Sequence, residues 1–231
     1  MISAVKNIMK NLGIKTASLK TDIEDGQHYK VIFPCSNEAS REANKLAKKA
    51  FGKENYISQE IIDEWRAKNE KLLTVIVDAK FNCRGYFDLI PLEEAFYNQL
   101  AKGEKKESDI RADVIMAGNE FPTHLYIGGV TSNDDNPIIG SLLLTSLLLK
   151  LHYLYNKRAV VIGALAATKD GEHYLKEFGF EEGLISKGLR NDGMAFFQRE
   201  VTKADVNGYL DEWGRRSKYL DYSAYRWYAV K

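Results

Sequence analysis

A long apolar helix between two apolar strands constrains the fold of this chain more than any other feature. The strand-like THLYIGGV (residues 123–130) is followed, after an acidic turn, by the helical GSLLLTSLLLKLHYLYN (140–156). The apolar run RAVVIGALAAT (158–168) comes next and is typical of a strand buried on both faces of a parallel sheet. This succession predicts a right-handed crossover between two parallel strands.

The flanking segments predict an α/β fold with further strands and helices. Predicted strands are YKVIFPC (29–35), two strands in LLTVIVDAKFNCRGYFDLIPL (72–92) joined near Asn82, and GMAFFQREV (193–201). Predicted helices are a short one over 1–15, then SNEASREANKLAKKAF (36–51), SQEIIDEWRAKN (58–69), LEEAFYNQLAKG (92–103) and DGEHYLKEFGF (170–180). We therefore expect an N-terminal helix and connection over 1–28, one domain over 29–200, and an aromatic extension over 201–231.

Composition and charge exclude several classes of protein. The 231 residues include 45% hydrophobic and 28% charged residues, which is ordinary for a globular chain. A formal net charge of +1 gives no reason to expect nucleic acid or an acidic membrane as a partner. Cys35 and Cys83 are too few for a disulfide framework or a zinc site, so we expect reduced thiols, no metal and a cytoplasmic location. Thr145, Ser146, Lys150 and His152 interrupt the long helix, which therefore reads as a core helix.

Two features of the strand–helix join suggest a ligand site. A helix N-terminus beginning at Asn136-Pro137 offers unpaired N–H groups to an anion; the alternative is that Asn136 simply caps the helix and Pro137 starts it. Gly128-Gly129 within a strand predicts a bulge or a close approach by another group; the alternative is that the glycines make room for a packed helix.

Four stretches carry a resemblance to a known family. They are ANKLAKKAF, GYFDLIPL, LYIGGVTSNDDNPIIGSLLLTSLL and AATKDGEHYLKEFGF. In their order, and in the Gly-Phe ending of the last one, they resemble the GNAT superfamily of acyl-CoA-dependent N-acyltransferases over about residues 29–200. The resemblance implies a mixed, mostly antiparallel twisted sheet with a splayed parallel strand pair and helices on both faces.

The resemblance also implies an acetyl-CoA site. In the family, the pantetheine arm lies beside the splayed fourth strand, here Gly129, Val130 and Thr131, and the pyrophosphate sits on the first turn of the next helix, here Ile138, Ile139, Gly140 and Ser141. The usual loop pattern is Gln/Arg-x-x-Gly-x-Gly/Ala. Only Gly140 matches it, because Asp135 stands at the donor position and Ile138 replaces a glycine. Asp134 and Asp135 would compete with an anion at the helix start.

Catalytic candidates are few. The amine acceptor needs a general base, the thioester carbonyl an oxyanion donor, and the leaving thiolate sometimes an acid. The resemblance gives the oxyanion role to the backbone N–H near Val130. The family's acidic tyrosine is replaced by Leu175, which leaves Tyr174 one position away. For the base we expect Asp88, unusual within a strand, or Tyr126, in preference to Glu93, Glu94 and His124.

Two functions remain open on the sequence. The first is an acyl-CoA-dependent N-acyltransferase that transfers an acetyl or similar group to an amine; the second is a GNAT-like binding or regulatory protein without activity. Asp135, Ile138 and Leu175 favour the second, whereas the strand glycines and the EFGF corner favour the first. KGEKKESDIRADV (102–114) is expected to be a solvated loop. The aromatic tail, which begins with a capping box at Thr202 and Asp205, is expected to pack on the core or to form a homodimer.

Overall fold

The computed structural model describes residues 29–52, 56–133, 137–155, 158–183, 185, 187–213, 220–221, 223 and 225. The expected helix over 1–15 and the loop residues Asp134, Asp135 and Asn136 lie outside this part of the chain.

The elements alternate as expected, with two strands broken into pairs. The strands are β1 Tyr29–Ile32, β2 Leu73–Val77, β3 Cys83–Asp88, β4 Ile90–Leu92, β5 His124–Ile127, β6 Val130–Ser132, β7 Val160–Ala166, β8 Glu181–Glu182, β9 Ala195–Val201 and β10 Leu220–Asp221. The α-helices are α1 Asn37–Phe51, α2 Gln59–Lys68, α3 Glu94–Ala101, α4 Pro137–Leu154, α5 Lys169–Glu177 and α6 Lys203–Trp213.

The strands form two five-stranded sheets, ordered β10-β1-β2-β3-β6 and β4-β5-β7-β9-β8. Strands β5 and β7 are parallel, β1 and β10 are parallel, and the other pairs are antiparallel. The mixed, mostly antiparallel architecture with a splayed parallel pair is therefore confirmed. Strand β10 was not predicted, because a two-residue strand leaves no alternation to recognise.

Alternating side chains of each strand bury opposite faces of the sheets. In β2, Ile76 joins the cluster formed with α4, whereas Val75 and Val77 join the cluster formed with α1. In β5, Leu125 faces residues of α4 and α6, and Tyr126 faces residues of α2 and α3. Helices therefore cover both faces of the sheets, and α4 spans the junction between them.

Local signals fix the helix starts. Ser36 caps α1, accepting a hydrogen bond from Ala39 N at 3.2 Å. The capping box that opens α6 is present: Asp205 accepts from Thr202 N at 2.9 Å, and Thr202 Oγ1 accepts from Asp205 N at 3.2 Å. Pro137 begins α4, where a missing N–H costs nothing. In the described part of the chain, none of the helices is both long enough and apolar enough to cross a membrane.

The last described residues are part of the core. Strand β10 extends the first sheet beside β1, and Tyr225 is fully buried. Its ring packs edge-on against Phe33 with centroids 4.9 Å apart, and its hydroxyl lies 2.9 Å from Ser146 Oγ and 3.2 Å from Thr74 Oγ1. The C-terminal extension is thereby tied to β2 and α4 of its own chain.

Candidate active site

Strands β5 and β7 separate after Ile127. Their parallel pairing runs from His124↔Val161 to Ile127↔Ala164, and β6 then pairs with β3 instead. Gly128 and Gly129 lie at this division, which we call the strand split. A gap thus opens between β6 and the end of β7, at the carboxyl ends of two parallel strands, where ligands of open α/β sheets bind.

The glycines at the strand split accommodate a carboxylate. A Cβ on Gly128 would lie 2.4 Å from Asp88 Oδ1, closer than atoms can approach. Asp88 Oδ1 accepts hydrogen bonds from Gly128 N at 2.9 Å and from Gly129 N at 3.0 Å. The close approach that the paired glycines predicted is therefore made by Asp88, not by a packed helix.

The strand register directs the Val130 backbone into the gap. Asp88 N donates to Gly129 O, and Asn133 N donates to Arg84 O, so these are the hydrogen-bonded positions of the antiparallel β3–β6 pair. Positions alternate in such a pair, and Phe87↔Val130 is therefore a non-hydrogen-bonded pair. The N–H of Val130 consequently points away from β3, towards the gap, and its side chain is exposed.

A second carboxylate, Glu107, lies beside Asp88. It belongs to a short 3-10 turn, Glu107–Asp109, within the segment predicted to be a solvated loop, and that prediction is wrong for Glu107. The reason is that Ile110, fully buried, anchors the loop and accepts a hydrogen bond at its carbonyl from Trp65 Nε1. The only sequence signal was the apolar Ile110 within a run of charges.

Burial raises the pKa values of the Asp88 and Glu107 carboxyl groups towards pH 7. The pKa of Asp88 is raised to about 6 by burial, opposed by the hydrogen bonds from Gly129 and Gly128 and by the charge of Lys150. The pKa of Glu107 is raised to about 8 by burial and by the Asp88 charge. Each residue nevertheless retains some solvent exposure, which is typical of groups deep in a cleft.

Two tyrosine hydroxyls complete the group. Tyr126 is fully buried, and its hydroxyl lies within reach of the Glu107 carboxylate. The Tyr86 hydroxyl would lie 3.0 Å from a Cβ on Gly129, and Asp88 Oδ2 would lie 3.4 Å from it. Burial raises the pKa of both tyrosines, so both hydroxyls are neutral and able to donate at pH 7.

The other predicted residues are distributed as follows. Tyr174 is 37% exposed on α5 and does not join the buried group of Asp88 and Tyr126, whereas Leu175 packs against the core. Val130 and Thr131 form β6, next to Gly129. Ile138, Ile139, Gly140 and Ser141 belong to the first turns of α4. Ile139 is buried, whereas Gly140 is exposed and has open space around it. These turns leave unpaired N–H groups at the helix start.

A buried lysine lies across the sheet from Asp88. Lys150 Nζ donates to Leu72 O at 2.7 Å and to Thr74 Oγ1 at 3.1 Å. It lies 5.1 Å from the centre of the Phe33 ring and 5.2 Å from that of Phe87. Burial lowers its pKa from 10.5 to about 7, opposed by the charges of Asp88 and Cys35.

This pKa shift makes the stability of the fold depend on pH. Because the folded pKa is below the unfolded one, the unfolded chain binds more protons between pH 7 and 10.5, and stability rises with pH in that window. Lys150→Met removes this contribution. We expect the free-energy difference between wild type and Lys150→Met to change by at least about 1.4 kcal/mol from pH 7 to pH 10, in favour of wild type.

The measurement is chemical denaturation of both proteins across this pH range. The difference between them removes the contributions of Cys83 and Glu107, whose raised pKa values do not depend on Lys150. Lys49→Met, on the exposed face of α1, is the control and should show no such change. A pH-independent difference for Lys150→Met would contradict the lowered pKa.

Comparison with known proteins identifies the fold. No protein-family model matches the chain, and no curated protein matches it in sequence. Among solved structures, a GNAT-like decarboxylase, GphF, in complex with isobutyryl-CoA superposes with a TM-score of 0.50 at 12% identity, covering 75% of this chain and 98% of that chain. A GNAT superfamily phosphinothricin acetyltransferase from Sinorhizobium meliloti with acetyl-CoA gives 0.48 at 17% identity, over 73% and 86%. The E. coli GNAT N-acetyltransferase YhbS with CoA gives 0.47 at 15% identity, over 79% and 85%.

The chain therefore has the GNAT fold, in a sequence that has diverged widely from these structures. At identities of 12–17% the likeness concerns the fold. The strand split and the carboxylates beside it are features of this chain, and its function is inferred from them.

Proposed function

We propose that the protein is an acyl-CoA-dependent N-acyltransferase that uses acetyl-CoA or a similar thioester and a primary amine. The observation that carries this proposal is the pair of half-buried carboxylates, Asp88 and Glu107, beside the strand split. Perturbed titratable groups in a cleft are typical of catalytic sites. The isobutyryl-CoA bound in the GphF structure supports an acyl-CoA ligand for this fold.

The proposed reaction uses three groups. The amine nitrogen attacks the thioester carbonyl carbon, the carbon–sulfur bond breaks, and the proton lost by the nitrogen passes to Asp88. The Val130 N–H, which points into the gap, donates to the carbonyl oxygen as negative charge develops there. The thiolate needs no obligatory acid near neutral pH, given a thiol pKa of about 8.5. The exposure of Tyr174 is therefore compatible with turnover.

The acyl donor is proposed to lie along β6 and the start of α4. Gly129, Val130 and Thr131 would contact the pantetheine arm, and N–H groups of Ile138, Ile139, Gly140 and Ser141 would face the pyrophosphate. Gly140 supports this proposal, since the space around it is open and a phosphate can approach its backbone closely. The competing candidate, a GNAT-like binding protein without activity, is favoured by Asp135 and by the exposure of Tyr174.

Calorimetry with acetyl-CoA, followed by assay of thiol release with a panel of primary amines, tests the proposal. We expect binding, and amine-dependent release of CoA. Gly140→Val fills the open space at the start of α4 and should weaken acetyl-CoA binding, whereas Gly188→Val, at another open and exposed glycine, should not. Binding without release would favour the inactive alternative, and no binding by the folded protein would refute the proposal.

A further inference from the structure

The ammonium group of Lys150 lies against the backbone that holds Asp88 in the first sheet. Its Nζ donates to the Leu72 carbonyl oxygen at 2.7 Å. The same oxygen accepts a hydrogen bond at 3.1 Å from the N–H of Leu89, which directly follows Asp88. The ring of Phe87, which directly precedes Asp88, has its centre 5.2 Å from Nζ. The cation is therefore fixed beside the two residues that flank Asp88.

Lys150 and the Asp88 side chain lie on opposite faces of this sheet. Phe87 packs in the cluster formed with α4, whereas Tyr86 packs in the cluster formed with α1. Side chains alternate along a strand, so Asp88 shares the face of Tyr86. One layer of backbone thus separates the ammonium from the carboxylate. Among the ion pairs of the described residues, none involves either group.

Stability does not explain a lysine at this position. Lys150 is fully buried, and the groups around Nζ are the Leu72 and Thr74 oxygens and the rings of Phe33 and Phe87. All of these groups are uncharged. A buried charge without an ion pair is costly, and apolar residues in place of buried charges are often neutral or stabilising. The buried ammonium therefore needs a reason other than packing.

Lys150 is the cation that acts on Asp88 in the described part of the chain. On the other face of the sheet, the groups near Asp88 are the Glu107 carboxyl and the hydroxyls of Tyr86 and Tyr126. The tyrosines are neutral at pH 7. A negative charge on Glu107 disfavours a second carboxylate beside it, and a positive charge on Lys150 favours one. Lys150 thus opposes Glu107 at the strand split.

The other groups that face Lys150 are neutral. Burial raises the pKa of the Cys35 thiol to about 12, so this thiol carries no charge near pH 7. Thr74 Oγ1 accepts from Lys150 Nζ at 3.1 Å and from the Tyr225 hydroxyl at 3.2 Å, which fixes the position of the ammonium. The charge of Lys150 is therefore directed at Asp88.

We propose that Lys150 is a positioning residue of the active site, whose buried ammonium acts through the first sheet to keep Asp88 in the carboxylate form. The attraction crosses a protein interior, where it is stronger than in water. The carboxylate is the form of Asp88 that can accept a proton from an amine. That Asp88 is the base rests on the proposed function; the coupling between Lys150 and Asp88 does not.

NMR titration without acyl-CoA or amine measures this coupling in both directions. In isotope-labelled protein, the Asp88 Cγ signal is assigned by its absence from Asp88→Asn. Its titration midpoint should be higher in Lys150→Met than in wild type by at least about 0.5 pH unit, less than the shift caused by an opposite charge in direct contact. The Cε signal of Lys150 should have a lower midpoint in Asp88→Asn by the same amount, because such coupling is reciprocal.

Leu149→Ala is the matched control for structural damage. Leu149 is the neighbour of Lys150 in α4 and packs in the same cluster as Phe33 and Phe87. Its truncation should lower the melting temperature, because it leaves a cavity in the core. The Asp88 midpoint should stay at its wild-type value in this variant, because the ammonium is retained.

The outcomes separate this inference from the proposed function. An unchanged Asp88 midpoint in folded Lys150→Met, or an equal shift in Leu149→Ala, would overturn the role of Lys150. If Lys150→Met does not fold, the Lys150 midpoint in Asp88→Asn decides: a fall supports the coupling and no change contradicts it. In kinetics, the rise of kcat/KM near pH 6 should move to higher pH in Lys150→Met by the interval that NMR gives. Coupling in a protein that binds no acetyl-CoA would support the role of Lys150 and refute the transferase.

Discussion

Asp88→Asn is expected to lower kcat/KM for acyl transfer to an amine by about 100- to 10,000-fold, the usual contribution of a general base. The asparagine amide oxygen can still accept the hydrogen bonds from Gly128 and Gly129, so the strand split should retain its geometry. What the variant loses is the capacity to take a proton. The measurement is steady-state kinetics with acetyl-CoA and an accepted amine, together with acetyl-CoA affinity, which should be unchanged.

The pH profile gives a second readout of the same group. The folded pKa of Asp88 is raised to about 6, so its basic form predominates above that pH. The kcat/KM of wild type should therefore rise as pH increases through about 6. Glu107, with a pKa of about 8, interacts with Asp88, and the two titrate as a pair. Asp88→Asn should abolish the rise near pH 6.

Glu93→Gln is the control for this experiment. Glu93 is an exposed carboxylate directly after β4 that the sequence also offered as a base. Its replacement should leave kcat/KM and the pH profile unchanged. If Asp88→Asn keeps the wild-type rate, or if Glu93→Gln is equally impaired, Asp88 is not the base, and melting temperatures of both variants separate this result from misfolding.

The sequence predicted those parts of the site that depend on short-range pattern. The apolar strands around the long helix predicted the parallel pair of β5 and β7, and the paired glycines within a strand predicted a close approach. Asp88 was conspicuous because a carboxylate is unfavourable within a strand. Its alternation with Tyr86 placed both side chains on one face, and the structure has both beside Gly129.

The parts that escaped prediction depend on contacts between distant segments. Glu107 lies in a run of charges, and only the docking of Ile110 against Trp65 of α2 carries it to the strand split. Lys150 interrupts an apolar helix that has no polar face, so its burial follows from the Leu72 carbonyl and the two aromatic rings that surround it. Local periodicity contains no information about such partners.

Removal of all residues after Val201 is expected to destabilise the fold strongly. It deletes α6, whose Val206 packs in the cluster that contains Leu151 and Val160, and it deletes Tyr225. Loss of one large buried aromatic side chain alone costs about 3–5 kcal/mol. Since 1 kcal/mol corresponds to about 2–4 °C in a domain of this size, the melting temperature should fall by at least about 10 °C.

A second truncation, after Trp213, separates the two contributions. It retains α6, with its capping box and the hydrogen bond that joins Asn207 to His152 of α4, and of the described residues it removes β10, Ser223 and Tyr225. Its melting temperature should lie between those of wild type and the shorter variant, because the Phe33 ring and the hydroxyl of Thr74 lose their contacts with Tyr225 while Val206 stays buried. Acetyl-CoA affinity, measured below the melting temperature, should be retained in this variant, since the strand split and the start of α4 lie outside the deleted segment.

If the variant truncated after Val201 kept the melting temperature of wild type, the extension would contribute nothing to the core. A loss of acetyl-CoA binding in the folded longer variant would instead give the last residues a part in the acetyl-CoA site.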